Sequence, residues 1–211
     1  MSNPLKQALE SLFERETPAM IDTMARVLEK ILKEGSVSAN QLRSLPEGID
    51  ALLLLDEWRL VQPVGGSLTK AWEDASQLLA MGKNFELTFP AWVKTLVRRA
   101  RESGRFQFRK AILTFFSDEE HPAWLKMPVF LFNMAEQSKN GIIDSTQINR
   151  LLRETPLGVS ADTLIAQLKN YGFISPHLRA DFFRMRTPHY EIHPLLVRAA
   201  SSEGEPSKEQ S

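Results

Sequence analysis

The chain has 211 residues, 26 Lys and Arg against 26 Asp and Glu, a formal net charge of zero, and no cysteine. That length admits one large or two small domains, and the missing thiols exclude a disulfide framework and any thiolate zinc site. Charges run through Met1–Glu16, unlike a secretory signal, and no apolar run approaches membrane-spanning length, so the expected location is cytoplasmic.

Asn3-Pro4 predicts a short helix with the stripe Leu5, Leu9, Leu12 and Phe13. Thr17-Pro18 starts a longer one that carries Met20, Met24, Val27, Leu28 and Ile31 and stops at Gly35. Ser38–Leu45 predicts a brief helix ended by Pro46, and Glu47–Arg59 another. Leu60-Val61 reads as a strand and Gly65-Gly66 as a tight turn. Thr88 and Pro90 open a helix over Ala91–Glu102, closed by Ser103-Gly104, with a further helix over Phe106–Phe116 and an acidic loop, Ser117–Pro122. Helices are then expected over Pro128–Ser138, Thr146–Leu152 and Ser160–Tyr171, with the turn Asn140-Gly141 and the short strand Ile142-Ile143 after the first. Phe173-Ile174 and Tyr190–His193 form a strand pair around a loop rich in Pro, Arg and Phe. Ser201–Ser211 has no apolar residue beyond its proline and is expected to be disordered.

Within this order the chain repeats itself. "VSANQLRSL" at Val37–Leu45 returns as "IDSTQINRL" at Ile143–Leu151, and "DEWRLVQP" at Asp56–Pro63 answers "KNYGFISP" at Lys169–Pro176. Four segments follow: an N-terminal arm with a first unit over 1–83, a helical middle over 84–125 without a counterpart in the repeat, a second unit over 126–200, and a tail over 201–211. Residues 1–83 hold nine Lys and Arg against twelve Asp and Glu. Residues 84–125 hold seven against five, 126–200 nine against six, and the tail one against three. A polyanion would meet the two central segments and avoid the front and the tail.

Helix, short strand, helix, helix, two strands around a loop: this order resembles the winged-helix form of the helix-turn-helix. The resemblance is fullest over Pro128–His193, where "GIID" stands as the first strand, "STQINRLL" and "SADTLIAQLKNYG" as second and third helices, and "FISPHLRADFFRMRTPHYEIH" as the wing. Over Ala19–Gly66 the wing reads as cut short near the Gly65-Gly66 turn. The fold class expected is therefore mainly α with small β wings, two winged-helix units joined by a helical middle. Tandem winged helices are similar to DNA-binding regulators and to the small subunits that clamp onto kleisins in chromosome-condensing complexes. The resemblance implies binding, not catalysis.

In a winged helix the third helix lies in the major groove with its exposed side chains at base edges. In the second unit that face shows Asp162, Thr163, Ala166, Lys169 and Asn170, with Gln167 on its flank. Asn and Gln pair with adenine and Lys with guanine, whereas Asp162 repels phosphate, and a merely solvated helix face has the same composition. The third helix of the first unit is apolar nearly all round and ends on Asp56 and Glu57, which suits covering better than DNA. Leu5, Leu9, Leu12, Phe13, Leu54, Leu55 and Trp58 are thus the expected homodimer or partner interface. Lys94, Arg98 and Arg101 line the polar side of Ala91–Glu102, and Arg105, Arg109 and Lys110 extend the cluster, either along a phosphate backbone or paired with the acids at Asp118–Glu120. Arg179, Arg184 and Arg186 on the wing suit a minor groove or flanking phosphates, and Phe182 and Phe183 its inward packing.

"HYEIH" brings His189, Glu191 and His193 to one strand face, near which His177 could fall, but neighbours on a flat strand converge poorly on one ion. Gly65-Gly66 and Gly104 lack the spacing and lysine of a phosphate loop, and Ser160 and Ser175 lack a nucleophile-elbow context. No metal, cofactor or catalytic residue is expected. The expectation is a transcriptional regulator that binds double-stranded DNA as a dimer; the alternative is a protein-interaction subunit of a larger assembly.

Overall fold

A computed structural model describes residues 3–64, 72, 84–117, 122–177 and 187–202. Helix α1 (Pro4–Leu12) begins where Asn3 Oδ1 accepts the Leu5 and Lys6 N–H groups and proline takes the first turn. Helix α2 (Pro18–Glu34) repeats the device with Thr17, which accepts from the Met20 N–H, and ends at Gly35 in left-handed backbone. Strand β1 (Val37–Ser38), helix α3 (Ala39–Arg43), helix α4 (Gly48–Glu57) and strand β2 (Gln62–Pro63) follow.

Strand β3 (Glu86–Thr88) then lies between β1 and β2, antiparallel to both, with Leu87 opposite Val37 and Pro63. This corrects two expectations. The first sheet is not cut short at Gly65-Gly66, because its third strand arrives past residue 83, inside the segment read as the middle. The strand escapes a periodicity reading because three residues, with Leu87 alone buried between Glu86 and Thr88, hold too little alternation to register. The Gly65-Gly66 turn itself falls outside the described residues.

Helix α5 (Ala91–Ser103) and helix α6 (Phe108–Ser117) lead, past a 3-10 turn at Pro122–Lys126, into the second unit. There helix α7 (Met127–Gln137), strand β4 (Ile142–Asp144), helix α8 (Ser145–Glu154), helix α9 (Ala161–Tyr171), strand β5 (Ile174–Pro176), strand β6 (His189–Ile192) and helix α10 (Pro194–Ser202) come in the same order. Strand β6 is the central one, with Tyr190 opposite Ile143 and Glu191 opposite Ser175. The protein is mainly helical with two small three-stranded antiparallel sheets, each ordered first, third, second strand. Both second strands end on proline, Pro63 and Pro176, which an edge position tolerates because no neighbour needs the missing N–H.

The repeat is longer than its two matching blocks. Each central strand runs through an X-Pro step, Phe89-Pro90 or His193-Pro194, into one more helix. Helix α5, read from the sequence as part of a middle without counterpart, therefore answers α10. That second helix was missed altogether: its nine residues begin just after the expected wing segment and reach into the expected tail, at Ser201 and Ser202.

One hydrophobic core runs through both units. Trp92 of α5 stacks on Phe173, which follows α9, with ring centres 5.0 Å apart. Phe116 of α6 stacks between Phe173 and Trp124, at 5.7 Å from each. The offset stacking of these rings adds to the area they bury and ties the two sheets to the connecting helices.

Candidate nucleic-acid interface

Helix α9 is held by a cap at each end. Ser160 Oγ accepts from the Thr163 N–H at its start, and Gly172, at φ 81°, turns the chain at its end. Leu164, Ile165 and Leu168 bury one face, which leaves Asp162, Thr163, Ala166 and Asn170 exposed and Lys169 half-buried. Gln167 lies on the flank of this face. It is half-buried, and its Oε1 is shielded without a hydrogen-bond partner among the described residues. Beside the first turn, burial and then the charge of Asp162 raise the Tyr190 pKa, so a neutral phenol on β6 borders the acidic start of the helix.

The six cations expected on α5 and beyond, Lys94, Arg98, Arg101, Arg105, Arg109 and Lys110, are all exposed. The opposite face of α5, with Trp92, Val93, Leu96, Val97 and Ala100, is buried. Arg109 lies over the Phe132 ring, 4.7 Å from its centre. Among the described residues no carboxylate forms an ion pair with Lys94, Arg98, Arg101, Arg105 or Lys110. A seventh cation, Arg99, turns inward and donates to Thr114 Oγ1 at 3.1 Å, linking α5 to α6. The acids at 118–120 and the wing residues Arg179, Arg184, Arg186, Phe182 and Phe183 lie outside the described residues.

Helix α5 meets α9 through a close backbone approach. A Cβ placed on Gly172 would stand 2.6 Å from Pro90 Cβ, far inside contact distance, so only glycine fits there. Trp92 Nε1 donates to the Gly172 carbonyl at 3.2 Å. The basic row therefore starts one turn beyond the contact that fixes the end of α9, where Lys169 and Asn170 sit.

The same junction is built in reverse on the first unit. His193 Nε2 donates to the carbonyl of Arg59, the residue aligned with Gly172, at 3.1 Å, and its Nδ1 accepts from the Leu195 N–H at 3.3 Å. The imidazole is fully buried against the edge of Trp92, ring centres 4.8 Å apart. Burial pushes its pKa down to about 3, over a smaller upward pull from the Arg59 carbonyl, so it stays neutral. Arg198 of α10 donates to the Leu12 carbonyl at 2.9 Å and lies over the Trp58 ring. Contacts of one unit's post-sheet helix with the other's third-helix end are thus reciprocal, as across a two-fold axis.

The expected association surface is largely consumed by this packing. Leu5, Leu9 and Leu55 have no exposed area, and Leu12 and Phe13 are buried, because α1 lies against α2 and α5 of its own chain. Trp58 is half-buried and takes the Phe13 ring edge-on at 5.6 Å, and Leu54 is half-buried against the same core. What α4 leaves outward is Ile49, 59% exposed, and Leu53, 53% exposed, one turn apart. The histidines at 177, 189 and 193 are also separated. His177 Nδ1 bonds Glu191 Oε1 and His189 Nδ1 bonds the Thr187 carbonyl, each at 2.8 Å, while His193 faces the junction. Among the described residues no three His, Cys, Asp or Glu side chains are placed to share an ion, and no helix is long and apolar enough to cross a membrane.

No curated protein and no solved structure matches this chain. The model of one protein family, whose description names no activity, matches residues 4–202, across both units and the helices between them, and the chain belongs to that family.

Proposed function

We propose that the protein binds double-stranded DNA through tandem winged-helix units and acts as a transcriptional regulator. The order helix, strand, helix, helix, strand, strand, with the last strand central, supports reading each unit as a winged helix. The observation that carries the DNA reading is the row Lys94, Arg98 and Arg101. It is exposed, lacks ion pairs among the described residues, and stands on the helix that abuts the end of α9. Such a row follows a phosphate backbone while α9 offers Thr163, Lys169 and Asn170 to base edges. The first unit serves as support, since the outward residues of α4 are apolar or acidic.

The test is a gel shift on duplex at two salt concentrations. Binding should weaken steeply with salt. Arg98→Ala with Arg101→Ala should lower the salt slope by about one unit per lost contact, equally for all sequences. Lys169→Ala with Asn170→Ala should instead erode discrimination between sequences by about 1–3 kcal/mol per lost base pairing. A second reading, an adaptor in a larger assembly, draws on the exposed pair Ile49 and Leu53, which also remains the surface for self-association. If no duplex binds while Ile49→Ser with Leu53→Ser abolishes self-association or capture of a partner, the adaptor reading replaces the first.

A further inference from the structure

The reciprocal junction is closed on one side and open on the other. Where Pro90 packs on Gly172 there is no room for a methyl group. At the matching place in the first unit stands Arg59, a non-glycine residue in left-handed backbone at φ 53°. Beside it a cleft of about 460 Å³ separates the units, within the size range of small-molecule sites, which favour such interfaces. Retaining a strained backbone in order to present a side chain is a pattern of functional sites.

The walls of the cleft carry a definite chemistry. Arg59 is paired with Asp56 at 3.0 Å, both side chains nearly buried, and its guanidinium lies over Trp72. Arg198, over Trp58, stands on the same cleft, as do Glu57 and the Glu191–His177 pair. An anion alone would face Glu57 and Glu191, and a cation alone would face Arg59 and Arg198. A molecule bearing both signs has a partner for each, and Ile142, Ile192 and Val197 supply apolar floor for the body between.

We propose that this cleft binds a small zwitterion with an apolar side chain, a free amino acid or a dipeptide. Its carboxylate takes the arginine side and its ammonium group the Glu191 side. Arg59 belongs to the first unit and Arg198 and Glu191 to the second, so a ligand that reaches Arg59 as well as Glu191 ties the end of α4 to the second sheet and α10. The proposal is independent of the DNA reading, since it is tested on the chain alone.

Calorimetric titration of the full chain compares leucine and alanyl-leucine with N-acetyl-leucine, which is only an anion, and leucinamide, which is only a cation. Saturable binding of a zwitterion, at least about tenfold tighter than either single-charge analogue, is expected from one lost charged hydrogen bond. Glu191→Gln should weaken the zwitterion and leave N-acetyl-leucine unchanged, while Arg198→Gln should weaken the zwitterion and leave leucinamide unchanged. Arg198 also holds the Leu12 carbonyl, so thermal melting checks that variant, and Glu191→Gln carries the test alone if it unfolds. The proposal is overturned if none of the four probes saturates. It is equally overturned if a single-charge analogue matches the zwitterions, or if Glu191→Gln leaves zwitterion binding intact.

Discussion

At the end of its third helix the first unit places Arg59 and the second places Gly172, and both adopt left-handed backbone, at φ 53° and 81°. In each case the carbonyl accepts a bond from a buried ring of the other unit, His193 or Trp92. The surroundings then diverge. Gly172 lets Pro90 approach closely, whereas Arg59 at the matching place lines the cleft. The helices diverge in the same sense. Helix α9 turns polar residues outward, but α4 turns out Ile49 and Leu53 and keeps Asp56 inward for Arg59. Two copies with one backbone order thus differ in their side chains, polar outward on α9 and apolar outward on α4.

The sharpest way to break this comparison is Trp92→Ala, at the centre of the junction. A fully buried indole stacked on Phe173 should cost about 3–5 kcal/mol in denaturant unfolding, with both units lost in one transition. Two separate transitions, with the second unit unaffected, would show that the junction does not couple them. Next is Gly172→Ala, where left-handed strain and the clash with Pro90 together should cost about 3 kcal/mol. Gly35→Ala is its control, because φ is also positive, at 89°, but nothing lies within 4 Å of the added methyl, so only about 1 kcal/mol of strain is expected. Equal costs at the two glycines would remove the special role of Pro90.

The third effect depends on pH. His193 is neutral when folded, with a pKa near 3 against 6.5 for the free side chain, so the unfolded chain binds the extra proton first. Its contribution is full above pH 6.5 and is lost as pH falls through the window down to 3, at about 1.4 kcal/mol per unit. Replacing it as His193→Gln should flatten that part of the stability profile, and an unchanged slope would mean that the ring is not shielded at the junction. The smallest effect belongs to the outward face of α4. Ile49→Ser with Leu53→Ser should move stability by no more than about 0.5 kcal/mol, since both side chains are already largely in water. A larger loss would mean that this face is covered in solution by a second copy.

The caps Asn3 and Thr17, the glycine stops at Gly35 and Gly104, and the apolar faces of α2, α5 and α9 were all legible in the sequence. So was the duplicated block, with the cationic face of α5. These are local features: an N-cap acts within one turn, a left-handed stop within one residue, and a helical stripe repeats often enough to be counted. Short strands have no such redundancy, which is why β3, and with it the full extent of the first unit, was invisible before the pairing of Leu87 with Val37 and Pro63.

The fate of an apolar stripe is likewise not a local property. Leu5, Leu9, Leu12 and Phe13 read as a surface awaiting a partner, and the chain supplies that partner itself from α2 and α5. His193 shows the same limit, since its spacing from His189 and Glu191 suggested one strand face, but its bond is to a carbonyl 134 residues earlier. Sequence alone determined where the helices other than α10 start and stop and which of their faces are apolar, because those choices are made within a few residues. Only the tertiary structure decided which faces meet, that the repeat closes on itself reciprocally, and that a cleft remains beside Arg59, because these depend on contacts between residues far apart in the chain.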